Sequence, residues 1–294
     1  MGELFICNTS SNYISKINTK LLEEELRIKL VCDNNEKIGP HGISRYNDKL
    51  LVANSYSNSL SIIDIQKNIE IERHFIGMNC NDVVAAGNFA YILCSELNNV
   101  TVFDLLEGKV VEEIPCGDMP HSIDINKQHK LLIISNFGDD SLTLIDYAKN
   151  EIVGNIRVGA YPSKAMFTVD GRHVLVCESF IGSDFRGSIG MISLKNRKIV
   201  NRVAVGNSPV DMFLNENECY VSNFGEGSVS ILDINHFKEI KRINTGGMPR
   251  GIVKEQNNIF VGDNYNNLLI KIDVNSGIKT NIPIGSEPTG MILL

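Results

Sequence analysis

PHSIDINKQHKLLIISNFGDDSLTLIDYAKNEIVGNIRVG, residues 120–159, contains four short runs in which apolar and polar side chains alternate: HSIDI, KLLIIS, SLTLID and EIVGNIRV. The turns NKQ, NFGDD and YAKN separate them, and Gly159 closes the stretch. Alternation with a period of two places one set of side chains on each face of a strand, and Asn, Asp and Gly between such runs favour tight turns. The stretch predicts an antiparallel meander of four strands.

The unit recurs along the whole chain. Aligned on a Gly-x-x-Pro junction, the proline slot is filled by Pro40, Cys80, Pro120, Pro162, Pro209, Pro249 and Pro288, at spacings of 40, 40, 42, 47, 40 and 39. A second marker keeps the same register: a polar residue ends the third strand at Asn18, Asp64, Asp104, Asp146, Ser193, Asp233 and Asp273. Ten residues before most of these, the second strand ends at Asn8, Asn54, Cys94, Asn136, Asn223 or Asp263. A period near 40 with four strands per repeat points to an all-β, seven-bladed β-propeller of four-stranded antiparallel blades.

The N-terminus opens on a second strand and the C-terminal PTGMILL is a lone first strand, so residues 288–294 should join residues 3–8 and close the ring. One propeller domain, 1–294, is expected, with blades at 288–294 plus 1–36, 37–77, 78–117, 118–159, 160–206, 207–246 and 247–285. In the Gly-x-x-Pro turn, proline presets φ and glycine is expected to permit positive φ. The repeated Asn and Asp are expected to bond the backbone of their own turns.

Composition narrows the function classes. Of 294 residues 43% are hydrophobic and the formal charge is −7, with basic residues scattered rather than clustered, which argues against nucleic acid and anionic membranes as partners. No apolar run approaches a membrane span. The opening MGELFICN has no basic-then-apolar export pattern, and Ile6 stands where a myristoylation motif carries Ser or Thr, so a cytoplasmic location is expected. The seven cysteines contain no CxxC pair and mostly fall in apolar runs, as reduced small hydrophobes do.

The strings LVANSYSNSLSIID (51–64), LIISNFGDDSLTLID (132–146) and YVSNFGEGSVSILD (220–233), each after a Gly-x-x-Pro or its remnant, resemble YVTN-family β-propeller repeats over essentially the whole chain. The resemblance implies the fold and no single activity. That family includes surface-layer and periplasmic proteins, and related propellers host lactonase and lyase chemistry. The chain departs from the pattern at Cys80, at Glu178 and Ser193 in the fifth unit, and in its lack of an export signal.

The two residues after each proline slot should reach the mouth of the central channel. Among them His41, Asp82, His121, Lys164, Asp211 and Arg250 are the candidate ligand-binding side chains. His41 and His121 occur in only two of the seven slots. Together with Asp82, Asp211 or Glu178 they could hold a divalent metal or act as acid and base, or simply line a water-bonded channel. The fifth unit carries a longer loop, ESFIGSDFRGS (178–188), whose Glu178, Phe180, Asp184, Phe185 and Arg186 could form a flap or a partner-binding knob.

HExxH, GxSxG, Walker and EF-hand signatures are absent. These readings favour a non-catalytic scaffold that binds a protein, peptide or small ligand at its loop face, with no catalytic residue, metal site or cofactor assigned. The alternative is a metal-assisted lyase or lactonase-like hydrolase at the channel mouth.

Overall fold

A computed structural model describes residues 2–31, 36–183 and 185–294. The described residues form seven four-stranded antiparallel sheets and one short 3-10 turn, Thr9–Ser11, and the chain is a seven-bladed all-β propeller. It divides into two compact units, residues 1–113 with 253–294, and residues 114–252.

In the first unit, blade 1 runs Pro288–Leu293, Glu3–Asn8, Tyr13–Asn18, Glu23–Lys29 in sheet order, so both chain ends share one sheet. The register sets Ile292 opposite Phe5 and Met291 opposite Ile6, as the closing-strand reading required. Met291, Ile292, Leu293 and Leu294 are only half-buried, so the strand is held by its ladder as much as by its side chains. Thr289 adds a buried hydroxyl contact to Thr9 at 3.0 Å.

Blade 2 comprises Pro40–Tyr46, Lys49–Asn54, Ser59–Asp64 and Ile69–Phe75. Its second strand is buried on both faces, which is why it reads as a continuous apolar run. Leu50 and Val52 enter the core shared with blade 1, which includes Phe5, Cys7 and Ile28. Leu51 and Ala53 enter the core shared with blade 3, which includes Val83, Ile92 and Phe103. Successive residues point to opposite faces, so one strand serves two cores.

The second unit repeats the scheme. In blade 5, Val174 and Val176 pack with Ile133, Leu142 and Leu144 of blade 4, while Leu175 and Cys177 pack with Met212, Val221 and Leu232 of blade 6. Fourth strands such as Glu151–Arg157 are mostly exposed and correspondingly polar.

The turn chemistry differs from the sequence reading in two respects. Residues at the end of third strands do cap their own turns: Asp64 accepts from Lys67 N–H at 2.8 Å, and Asp233 from Asn235 N–H at 2.8 Å. Among the second-strand markers Asp263 also caps its own turn, accepting from Asn266 N–H at 3.1 Å. Asn8 donates to the Tyr13 carbonyl at 3.2 Å, but the Asn side chains reach across the blade as well. The side-chain amides of Asn8, Asn54, Asn136 and Asn223 donate to Ser15, Ser61, Thr143 and Ser230 at 2.8, 2.7, 2.9 and 2.8 Å.

The expected positive φ is met at Gly246, three residues before Pro249, at +72°, but not at Gly77, Gly117, Gly159, Gly206 or Gly285. There that conformation belongs to the residue just before the slot: Asn79, Met119, Tyr161, Ser208 and Glu287. Gly117 and Gly285 make room for the buried Asn: a Cβ on Gly117 would lie 2.5 Å from the Asn136 amide nitrogen, and one on Gly285 would lie 2.5 Å from Asn8 Cβ.

Two outcomes follow for stability. Deleting 288–294 leaves the edge Glu3–Asn8 unpaired at about 1 kcal/mol net per lost hydrogen bond, and is expected to give insoluble or unfolded protein; an unchanged melting temperature would contradict the closure. Gly117→Ala is expected to cost roughly 1–3 kcal/mol by overpacking, and measurably less on an Asn136→Ala background, read as a coupling energy from chemical denaturation.

Candidate functional site

The residues after the proline slots prove to be fasteners between neighbouring blades as well as surface groups. His41 Nδ1–H donates to the Asn81 carbonyl at 2.8 Å, and His121 Nδ1–H donates to the Ser163 carbonyl at 2.7 Å. Ser163 Oγ donates to the Pro209 carbonyl at 2.8 Å, and Thr289 Oγ1 to the His41 carbonyl at 3.1 Å. Each is the first residue after its slot, and each bonds the next blade at the corresponding turn. A carbonyl partner accepts only, so both imidazoles carry a proton on Nδ1.

The next residue along does similar work. Ser122 Oγ accepts from Ala165 N–H at 3.0 Å, and Asp211 Oδ2 accepts from Ile252 N–H at 3.3 Å. Asp82 accepts from Val83 N–H at 2.9 Å, and a Cβ on Gly42 would lie 2.6 Å from its carboxylate.

In the first unit the predicted residues are His41 and Asp82, half-buried on adjacent blades. In the second unit His121, Lys164, Asp211 and Arg250 all fall on first strands, and charge interactions link them. Lys164 Nζ lies 3.9 Å from the Asp211 carboxylate, with both side chains about one-fifth to one-quarter exposed. His121 is pushed down to about 4, first by burial and then by the positive charge of Arg250, with Lys164 adding a smaller push. Its hydrogen bond to Ser163 acts in the opposite sense without overcoming these.

Beside His121 runs an aromatic row absent from the predicted set. Phe137 lies 5.7 Å from the His121 ring and 5.2 Å from Tyr161, centroid to centroid, and Tyr161 is 42% exposed. Phe137 follows the second-strand Asn136 and Tyr161 precedes Pro162, so their loop positions were visible in the sequence. Their approach to one another required the fold.

The enlarged loop divides into two parts. Glu178 ends the second strand of blade 5 at 0% exposure and is not a loop residue. Its carboxylate accepts from Gly159 N–H at 2.7 Å and from Ser188 Oγ at 2.5 Å, and it pairs with Arg202 at 2.8 Å. It fills the place that Asn takes in other blades and is committed to the interior. Phe180 and Phe185 meet edge to face at 6.3 Å, with Phe185 and Arg186 exposed. Asp184 lies outside the described residues.

Among the described residues no group of three or more His, Cys, Asp or Glu side chains is placed to hold an ion. Among the same residues no helix is long and apolar enough to cross a membrane.

Comparison with known proteins supports the fold and goes no further. No family model matches the chain, and no curated protein matches it. Solved structures do match. A functionally unknown protein from Desulfotomaculum acetoxidans is similar at 18% identity and TM-score 0.83, covering 99% of this chain and 98% of that one. Hydrazine synthase from Kuenenia stuttgartiensis is similar at 17% identity and TM-score 0.79, covering 89% and 91%. A candidate 6-phosphogluconolactonase from Bacteroides fragilis is similar at 16% identity and TM-score 0.79, covering 100% and 98%.

The depressed His121 gives a pH signature. Between its ordinary value near 6.5 and about 4 the unfolded chain binds a proton that the folded chain refuses, so stability falls as pH drops through this window. His121→Gln is expected to remove roughly 1–3 kcal/mol of the stability lost between pH 7 and pH 4, measured by denaturant titration at both values. A pH dependence identical to that of the parent would refute the assignment.

Proposed function

We propose that this chain is a non-catalytic binding propeller that takes a small anionic ligand at the loop face of its second unit. The observation that supports this most is the positive field of Arg250 and Lys164 on a half-buried, neutral His121. In a chain of formal charge −7, Arg250 and Lys164 set two cations near a neutral imidazole, with the Asp211 carboxylate 3.9 Å from Lys164. Arg250 supplies a planar fork suited to a carboxylate or phosphate, and Lys164 a point charge. Tyr161 and Phe137 offer flat apolar surface at the rim. Blades that need not move present these groups in a preformed arrangement, which lowers the ordering cost of binding. The repeat pattern supports placing the chain with YVTN-type propellers as part of the same reading.

A lactonase-like hydrolase is the competing reading, and the site favours it less. A general base works best with a pKa near the operating pH, whereas His121 lies near 4. Among the described residues a metal-assisted route finds no group of three or more donors.

Isothermal titration with a panel of small carboxylates and phosphate monoesters tests the proposal. At least one should bind, with affinity falling as ionic strength rises. Arg250→Gln and Lys164→Ala should each weaken it about tenfold or more, the loss of a charge-assisted hydrogen bond. Salt-independent binding, or equal affinity in both variants, would count against the site. Turnover of a lactone abolished by His121→Gln would favour the rival.

A further inference from the structure

Blade 3 departs from its neighbours at two positions, and those two positions face each other. In five other blades the slot proline stands opposite the residue ending the second strand: Pro288 opposite Asn8, Pro40 opposite Asn54, Pro120 opposite Asn136, Pro162 opposite Glu178, and Pro209 opposite Asn223. In blade 3 the same register pairs Cys80 with Cys94. The blade has therefore lost both the proline that presets its first strand and the Asn that ties its second strand to its third. A cysteine has taken each place.

The surroundings of the pair are built around the two sulfurs. Cys80 and Cys94 are both fully buried, and their thiols hydrogen-bond each other. Thr101 Oγ1 lies 3.3 Å from Cys94 Sγ, at the position from which Ser15, Ser61, Thr143 and Ser230 receive the Asn amide in other blades. Cys80 Sγ also lies 3.1 Å from the Gly77 carbonyl. Gly77 contributes no side chain over the pair: a Cβ there would come 2.8 Å from Cys94 Sγ and 3.1 Å from Leu97 Cδ1. Leu97, 44% exposed, forms the outer cover. The hydrogen bond from Cys80 holds the Cys94 thiol below its ordinary range, so Cys94 is the nucleophile of the two.

We infer that Cys80 and Cys94 form a redox-sensitive cross-strand staple, a dithiol that closes to a disulfide with a small peroxide as oxidant and so restrains the strand pair that lacks its proline and asparagine. Directly opposed residues on antiparallel strands fall in the separation range that a disulfide spans. Hydrogen peroxide is small enough to enter as the exposed Leu97 moves aside. The Cys94 thiolate attacks one peroxide oxygen, breaking the O–O bond to give a sulfenic acid and hydroxide, which takes up the proton the thiol lost and leaves as water. Cys80 then attacks the Cys94 sulfur, forming the S–S bond and expelling the sulfenic oxygen as a second water. Two thiols are oxidised by two electrons in all, and one peroxide is reduced to two waters.

The test treats the full chain with hydrogen peroxide, then maps its peptides without reduction and records thermal melts before and after. The expected result is a Cys80–Cys94 linkage in most molecules, reversed by dithiothreitol, with a melting temperature about 2 °C or more above that of the reduced protein. The double variant Cys80→Pro with Cys94→Asn restores the pair carried by the neighbouring blades; it should fold and show no such oxidant-dependent rise. Three results would overturn the inference: peroxide-treated protein with both thiols still free, sulfinic acid at Cys94 beside an unreacted Cys80, or a linkage that leaves the melting temperature unchanged or lower.

Discussion

A four-stranded antiparallel sheet whose central strands are apolar on both faces is not stable alone in water. Leu50 and Val52 on one face and Leu51 and Ala53 on the other must each be covered, and only another blade on either side can do it. Every local feature of the chain serves that requirement. The period near 40 supplies identical blades, the alternation assigns each side chain to one of two cores, and the polar fourth strands face water. Blade 1 meets the same demand by drawing its first strand from the far end of the chain.

Apolar packing alone does not fix how one blade is set against the next, because it lacks direction. Hydrogen bonds at the loop end supply it. His41, His121, Ser163 and Thr289, each one residue beyond its slot, reach the carbonyl of the following turn. Within the blade, the Asn amides bind Ser or Thr seven residues on, and Gly117, Gly206 and Gly285 leave room for Asn136, Asn223 and Asn8. Blade 5 solves the same problem with the buried Glu178, paired to an exposed Arg202, and blade 3 with two thiols.

These fasteners also set polar side chains at the turns of the loop end. Of the positions after the slots, His41, His121, Lys164, Asp211 and Arg250 keep part of their surface open to solvent, whereas Ser163 and Thr289 are buried. Where such a position carries a charge, as at Lys164, Asp211 and Arg250, the group can serve the fold and a ligand together. Recurrence therefore does not separate a structural from a functional residue here. His121 is a fastener through Nδ1 and a member of the charged cluster through its ring.

The seven repeats, their strand order, the chain-end closure and the position of the longer loop were legible in the sequence, because periodicity and turn chemistry are local and repeat in register. What tertiary structure alone decided was the fate of individual side chains. Glu178 looked like a loop acid and is an interior carboxylate, since a glycine nineteen residues earlier and an arginine twenty-four later converge on it. Phe137 and Tyr161 were unremarked loop residues until folding set their rings together. Cys80 and Cys94 read as separate small hydrophobes because nothing local reveals that two strands will oppose them. Contacts between residues distant in sequence depend on register and blade spacing, and those are properties of the assembled sheets.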